Sequence, residues 1–231
     1  MLRVNLARFM GLLGSLLVAT VCWAQPAEAV ATDAGAHALV SETTQQVMAV
    51  VMEASAYADE DPDRYYQQVQ AILDPVIDFR GFARSVMGPY ATSERYKSLD
   101  EPGRAQLRDQ LDRFTEVMRL GLVRTYSKGL LAYAGARIEV SESSAEEATD
   151  GRATVRQLIY ADNPEPYVLL YQMAKNKEGG WQLRNIIIES VNLGEIYQSQ
   201  FAASARKNDG DLDAVIAGWT TVTVEVESSA G

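Results

Sequence analysis

The sequence predicts an α+β fold in which helices gather against one face of a curved antiparallel sheet of about four strands. Two observations support this prediction. Between residues 38 and 133, apolar residues recur every three or four positions, which is typical of amphipathic helices. After Ala136, four segments rich in β-branched and aromatic residues follow one another across short turn sequences, which is typical of an antiparallel meander. We therefore divide the chain into a signal peptide (1–29), a helical part (30–135) and a sheet with C-terminal helices (136–231). The last two parts are expected to form one intertwined unit.

The N-terminal segment has the pattern of a secretory signal peptide. Two arginines precede an uncharged run over residues 9–21, which is shorter than the ~20 residues of a membrane span. Small residues permit cleavage after Ala24, Ala29 or Ala31, and Ala29 is favoured because no continuous apolar run follows it. We therefore expect the chain to be exported from the cytoplasm.

Three helices are predicted before the longest one. Helical spacing of apolar residues covers 38–58, and a second helix is predicted over 62–73 with Asp61 as its N-cap. Asp78 is the predicted cap of a third helix, which ends at the Gly-Pro pair of residues 88 and 89.

The strongest helical pattern follows Pro102 and continues to Tyr133. Additional apolar residues widen its apolar arc, so we expect this helix to be buried on more than one side. Gly121 is a candidate bend or close-contact point within it. Two C-terminal helices are predicted over 193–207 and 212–219.

The predicted strands are 138–143, 152–160, 167–175 and 181–189. The third strand has apolar residues on both of its faces, so we expect both faces of the sheet to be covered at least in part. A sheet sandwiched between helices explains this pattern without a ligand, and an apolar ligand cavity between the sheet and the long helix is the alternative. The residues that would line such a cavity are Phe114, Met118, Leu122, Tyr126, Val155, Ile159, Leu169, Tyr171, Met173, Ile186 and Ile188.

Charge is distributed unevenly along this acidic chain, whose net charge is −10. Residues 80–137 carry six acidic and eleven basic groups, whereas the segments on either side are strongly acidic. The overall charge repels nucleic acid, so we expect no nucleic-acid partner. The basic window is either a solvated helix face or a docking surface. Its arginines on the long helix are Arg104, Arg108, Arg113, Arg119 and Arg124.

Few residues are available for catalysis. The single cysteine, Cys22, lies in the predicted signal peptide, and the single histidine, His37, lies close to the start of the mature chain. Cys–His catalysis, Ser–His–Asp catalysis and His-ligated metal sites therefore lose their usual components. Asp78 or Glu189 as a carboxylate of raised pKa is the remaining catalytic hypothesis. We expect neither enzyme activity nor a metal or other cofactor.

The sequence resembles the MlaC family, also called toluene-tolerance proteins. The resemblance extends over most of the mature chain and follows a fixed order of motifs. These are Pro75-x-x-Asp78-Phe79, Ala83-Arg84-x-Val86-Met87-Gly88, Phe114, Thr125-Tyr126 with Leu130 and Tyr133, Gly180-Trp181-x-Leu183, Ile188-Glu189-x-Val191-Asn192-Leu193 and Tyr197-Gln198-Ser199-Gln200-Phe201. The sequence departs from the family at Ser190, where glycine is usual.

The resemblance implies a periplasmic phospholipid carrier with a nuclear-transport-factor-like domain, whose sheet and helices hold the acyl chains as cargo. It also implies two protein partners, an outer-membrane lipoprotein–porin complex and an inner-membrane ABC transporter with an MCE-domain ring. We expect the carrier to be a monomer. A small hydrolase or isomerase on the same cone-shaped fold and a lipid-free periplasmic adaptor or chaperone are the alternatives.

Overall fold

The computed structural model describes residues 35–141, 151–161 and 165–221, all within one compact unit, Asp33–Gly231. The described helices are α1 (Ala36–Ala54), α2 (Pro62–Leu73), α3 (Phe79–Met87), α4 (Ser93–Ser98), α5 (Glu101–Leu130), α6 (Leu193–Lys207) and α7 (Leu212–Ala217). The described strands are β1 (Arg137–Ser141), β2 (Arg152–Tyr160), β3 (Tyr167–Lys175), β4 (Trp181–Ile188) and β5 (Val191–Asn192). The predicted signal peptide lies outside the described residues. No helix among the described residues is long and apolar enough to span a bilayer.

Side-chain caps mark where the described α-helices after α1 begin, because each cap satisfies a backbone N–H that has no partner within its helix. Asp61 accepts from the backbone N–H of Arg64, and the bounds of α2 are those predicted. Asp78 accepts from the N–H of Gly81 at 2.9 Å, which confirms its predicted role at the start of α3. The short helix α4, capped by Thr92, was not predicted.

The sheet confirms the predicted antiparallel meander. Its strands pair in the order β1-β2-β3-β4-β5, so that each strand neighbours the next along the chain. The two-residue strand β5 was not predicted and adds a fifth member. Glu189 and Ser190 join β4 to β5 with positive φ angles of 47° and 70°, a conformation that favours glycine. Ile77 forms a parallel bridge with Leu183. It therefore lies along the edge of β4 that also pairs with β5, nearer the start of β4.

The helices are attached to one another and to the sheet by three clusters of buried side chains. The first joins α3, α5, α6 and α7, and its largest members are aromatic. The second joins the start of α1 to the sheet through Ala36, Val40, Val155 and Met173. The third joins the end of α1 to α2, with the end of α5 against it. The long helix α5 therefore contributes to the first cluster and packs against the third.

The two faces of the sheet have different surroundings. The strand residues that belong to the buried clusters, or pack against them, include Val155, Tyr171, Met173 and Ile186, which share one face by register. On the opposite face, Leu158, Val168, Leu170 and Ile187 are only half-buried and belong to none of these clusters. Helices of the described chain therefore cover one face, which confirms the α+β architecture. The expectation that both faces are covered is not supported by these clusters.

Gly121 is a close-contact point, as the sequence predicts. A methyl group at this position would lie 2.0 Å from the side-chain oxygen of Thr221. The segment that follows α7 therefore approaches α5 at a residue that has no side chain.

Candidate functional site

The register of the sheet brings the seven strand residues of the predicted cavity wall onto a single face, hereafter the inner face. Leu169 lies opposite Ile188, and Tyr171 lies between Val155 and Ile186 on the neighbouring strands. Ile159 and Met173 share this face because the side chains of a strand alternate with a period of two. The inner face is thus largely apolar across β2, β3 and β4, and Gln157, opposite Leu169, is a buried polar residue within it.

The four predicted residues of α5 differ in their surroundings. Phe114 and Met118 are fully buried, and the ring of Phe114 packs edge-on against Phe201 at 4.9 Å and Trp219 at 5.0 Å between ring centroids. These two side chains are therefore enclosed by protein. Leu122 and Tyr126, one and two turns further along, are only half-buried.

Burial also divides the inner face. Val155 and Met173 are buried in the cluster that includes α1, and Ile159 is buried as well. The other strand residues of the predicted wall are half-buried. Together with Leu122 and Tyr126 they form what we call the apolar strip, which consists of Leu122, Tyr126, Leu169, Tyr171, Ile186 and Ile188.

The polar atoms of the apolar strip are two tyrosine hydroxyl groups, and both are bonded within the protein. Tyr126 shares a hydrogen bond of 3.2 Å with the hydroxyl of Tyr197, and Tyr171 donates to the side-chain oxygen of Gln157. Gln157 in turn donates to Thr44 of α1 at 3.4 Å. Burial raises the pKa of Tyr126 and of Tyr171, so both remain neutral at physiological pH. The strip therefore presents an uncharged surface.

The two carboxylates considered for catalysis have structural roles. Asp78 caps α3 and forms an ion pair with Arg184 of β4. Glu189 accepts a hydrogen bond from the backbone N–H of Val168, across the β3–β4 pair. Within the described ranges, His, Cys, Asp and Glu side chains form no group of three that could hold a metal ion.

The arginines of α5 are already occupied by contacts within the protein. Arg119 pairs with Asp74 and Glu116, and Arg124 pairs with Asp63. Arg113 pairs with Asp109 and Asp213, and Arg108 with Glu101. Arg104 donates to the backbone carbonyls of Tyr96 and Lys97. These contacts favour the solvated and internally paired helix face over the docking surface for Arg104, Arg113, Arg119 and Arg124, whereas Arg108 also lines the groove described next.

The sequence analysis missed a groove on another side of the molecule, between α3, α4 and α5. This basic groove has a volume of about 440 Å³. Its lining residues are Asp78, Arg80, Gly81, Arg84, Ala91, Thr92, Ser93, Tyr96, Lys97, Leu107, Arg108 and Leu111. The signal that pointed to it was the basic window itself, but the groove uses the cations of α3 and α4 and only one arginine of α5.

The family model for the MlaC protein matches residues 41–221 of the chain. The chain belongs to the MlaC family. The match begins within α1 and ends at the last described residue, so it includes both the apolar strip and the basic groove.

Two relatives of this MlaC chain extend the comparison. The toluene tolerance protein ttg2D of Pseudomonas putida is 27% identical over 194 residues, which cover 84% of each chain. The phospholipid-binding protein of Ralstonia solanacearum, solved in complex with a phospholipid, matches with a TM-score of 0.60 at 23% identity. That match covers 79% of this chain and 93% of the other, and it shows that the two share a fold.

Proposed function

We propose that this MlaC chain is a periplasmic phospholipid carrier that holds acyl chains against the apolar strip. The observation that carries the proposal is the half-buried, uncharged surface that six residues of α5, β3 and β4 present on one side of the sheet. A largely apolar surface that helices cover in part is the kind of site that binds apolar ligands. The same surface offers no charged group that would repel an acyl chain.

The comparisons support this proposal. The structural relative from Ralstonia solanacearum is described as a phospholipid-binding protein in complex with a phospholipid. The relative from Pseudomonas putida is named for toluene tolerance. Membership of the same family makes a phospholipid the first ligand to test.

Physical reasoning makes a carrier necessary for such a ligand. Two acyl chains hold on the order of thirty methylene groups, and at ~0.8 kcal/mol each their exposure to water costs roughly 25 kcal/mol. This cost exceeds the ceiling of measured affinities, so a phospholipid does not cross an aqueous compartment unescorted. An apolar surface on a protein replaces the membrane interior without any chemical step, and the acidic chain resists adhesion to anionic bilayers.

We propose no chemical reaction and no cofactor for this chain. Asp78 and Glu189 are engaged in a helix cap, an ion pair and a backbone hydrogen bond, and these contacts favour a structural role over acid–base catalysis. The bound phospholipid is cargo. The handover partners that family membership suggests are an outer-membrane lipoprotein–porin complex and an inner-membrane ABC transporter with an MCE-domain ring.

Lipid extraction of native protein tests this function. Protein purified from a bacterial periplasm without detergent would be extracted with organic solvent, and the extract analysed by mass spectrometry against the protein concentration. We expect one or a few intact phospholipids per chain. Lipid-free native protein would favour the adaptor, and steady release of fatty acid or lysolipid would favour a hydrolase.

A further inference from the structure

The basic groove concentrates positive charge on a chain whose net charge is −10. Four cations, Arg80, Arg84, Lys97 and Arg108, line it together with a single carboxylate, Asp78. That carboxylate is neutralised by Arg184 and by the start of α3. The groove is therefore a local positive site within an acidic field.

The cations of the groove differ in how they are paired. Arg80 pairs with Asp112 and Arg108 with Glu101, at side chains that are all largely exposed. Exposed pairs of this kind contribute little and exchange readily with another carboxylate. Arg84 and Lys97 are exposed and form no ion pair with any described residue. Two cations of the groove are thus free, and two more are available by exchange.

The lining of the groove also has an apolar part, here called its apolar floor. It consists of Leu107 and Leu111 of α5 with Ala91 and the ring of Tyr96. Tyr96 is held by two guanidinium groups, with Arg104 at 5.7 Å and Arg108 at 5.8 Å from its ring centroid. A bound anion that exploited only the charges would leave this apolar floor uncovered.

We propose that the basic groove is the docking site for an acidic segment of a partner protein, with an apolar anchor side chain that packs on the apolar floor. The inference deepens the proposed function and rests on it, because a carrier needs a surface on which its donor or acceptor docks. Positive walls select acidic residues, and the apolar floor selects the anchor. Because the rest of the chain repels an acidic partner, the groove also orients the encounter.

The test uses the full chain and a defined probe. The probe is a fluorescein-labelled peptide in which pairs of glutamates alternate with leucines, and its binding is followed by fluorescence anisotropy at low and high salt. The groove variant is Arg84→Glu with Lys97→Glu. The matched control is Arg152→Glu with Arg156→Glu. It reverses two exposed cations on the face of the sheet opposite the inner face, and it changes the net charge by the same amount as the groove variant. A second pair, Arg84→Gln with Lys97→Gln, removes charge without adding any.

The groove variant is expected to bind the peptide about tenfold more weakly than wild type, with a shallower salt dependence, while the control stays close to wild type. A peptide with alanine in place of leucine should also bind more weakly. Equal losses in the groove variant and the control would overturn the proposal, because net charge alone would then explain them. Stronger binding to phosphatidylglycerol vesicles than to the peptide, lost in the same groove variant, would assign the groove to a lipid surface instead.

Phospholipid content, measured on the same samples, separates this inference from the proposed function. Wild type and both groove variants should carry the same amount of phospholipid, because the groove shares no residue with the apolar strip. If native wild-type protein carries no phospholipid but still binds the peptide at the groove, the carrier function is refuted and the acidic-peptide docking site stands. Full lipid content without peptide binding would refute the docking site alone.

Discussion

Leu169 gives the sharpest test of the apolar strip, because it lies on the inner face opposite Ile188 and is only half-buried. The substitution Leu169→Trp adds about six non-hydrogen atoms on the side where acyl chains are proposed to lie. If that bulk displaces about three methylene groups, at ~0.8 kcal/mol each, lipid binding weakens by about 2.4 kcal/mol, or about fiftyfold. The expected result is a folded protein that carries much less phospholipid.

The neighbouring residue supplies the control. Leu170 is also half-buried but points to the opposite face of the sheet, so Leu170→Trp should leave the phospholipid content unchanged. Bound phosphate per chain would be measured on native samples, and the free energy of unfolding on delipidated ones, because bound lipid itself raises apparent stability.

The alternative, a close-packed strip that holds no lipid, makes a different prediction. If the strip is close-packed core, Leu169→Trp costs typically 1–3 kcal/mol through overpacking and there is no lipid to displace. A delipidated variant that is clearly less stable than delipidated wild type, while native samples retain all their lipid, would refute the strip as a lipid site.

Three further predictions concern the framework that holds the site. Asp78→Ala removes both the cap of α3 and the ion pair with Arg184, so urea unfolding should show a loss of about 2 kcal/mol; Asp78→Asn, which can still cap, should lose about half of that. Equal losses would mean that the cap contributes nothing, and an unchanged Asp78→Asn variant would mean that the ion pair contributes nothing. Ser190→Gly should raise the free energy of unfolding by up to about 1 kcal/mol, because Ser190 has a φ of 70°, and a lower melting temperature would contradict this. Burial raises the pKa of Tyr65 to about 12, and its hydroxyl donates to the carbonyl of Ser127 at 2.8 Å. The folded pKa lies above the ordinary value of 10.0, so the stability that the neutral Tyr65 hydroxyl contributes is fully present below pH 10. That stability is lost as the pH rises towards 12. Tyr65→Phe should therefore flatten the decline in stability over that range, and parallel curves for variant and wild type would exclude this origin.

Local chemistry made much of the fold predictable from the sequence. The caps at Asp61 and Asp78 need only a side chain three residues before a backbone N–H, so spacing alone identified them. The alternation of apolar residues in β2 and β3 likewise determines which side chains share a face once the strands pair. By contrast, β5 has two residues and α4 has six, and segments that short leave no periodic pattern.

What the sequence did not reveal depends on contacts between distant residues. His37 was set aside as a catalytic residue because it lies close to the predicted start of the mature chain, and its ring nitrogen lies 3.1 Å from the carbonyl oxygen of Val140, 103 positions away. The sequence shows the arginines of α5 as a basic window, but it does not show that three of them pair with carboxylates of other elements, as Arg113 does with Asp213. The basic groove was missed for the same reason, because three helices must meet before its cations share a surface.

The strand order has a consequence for how the chain assembles. Every strand of the sheet pairs with its neighbour in sequence, so the whole sheet can form from contacts between residues that are close in sequence. The start of α1 reaches that sheet only by closing a loop of about a hundred residues, as the bond from His37 to Val140 illustrates. The start of α1, the first described helix, can therefore pack only after the sheet has formed. Until it docks, Val155 and Met173 of the inner face lack the cover that Ala36 and Val40 provide in the folded protein.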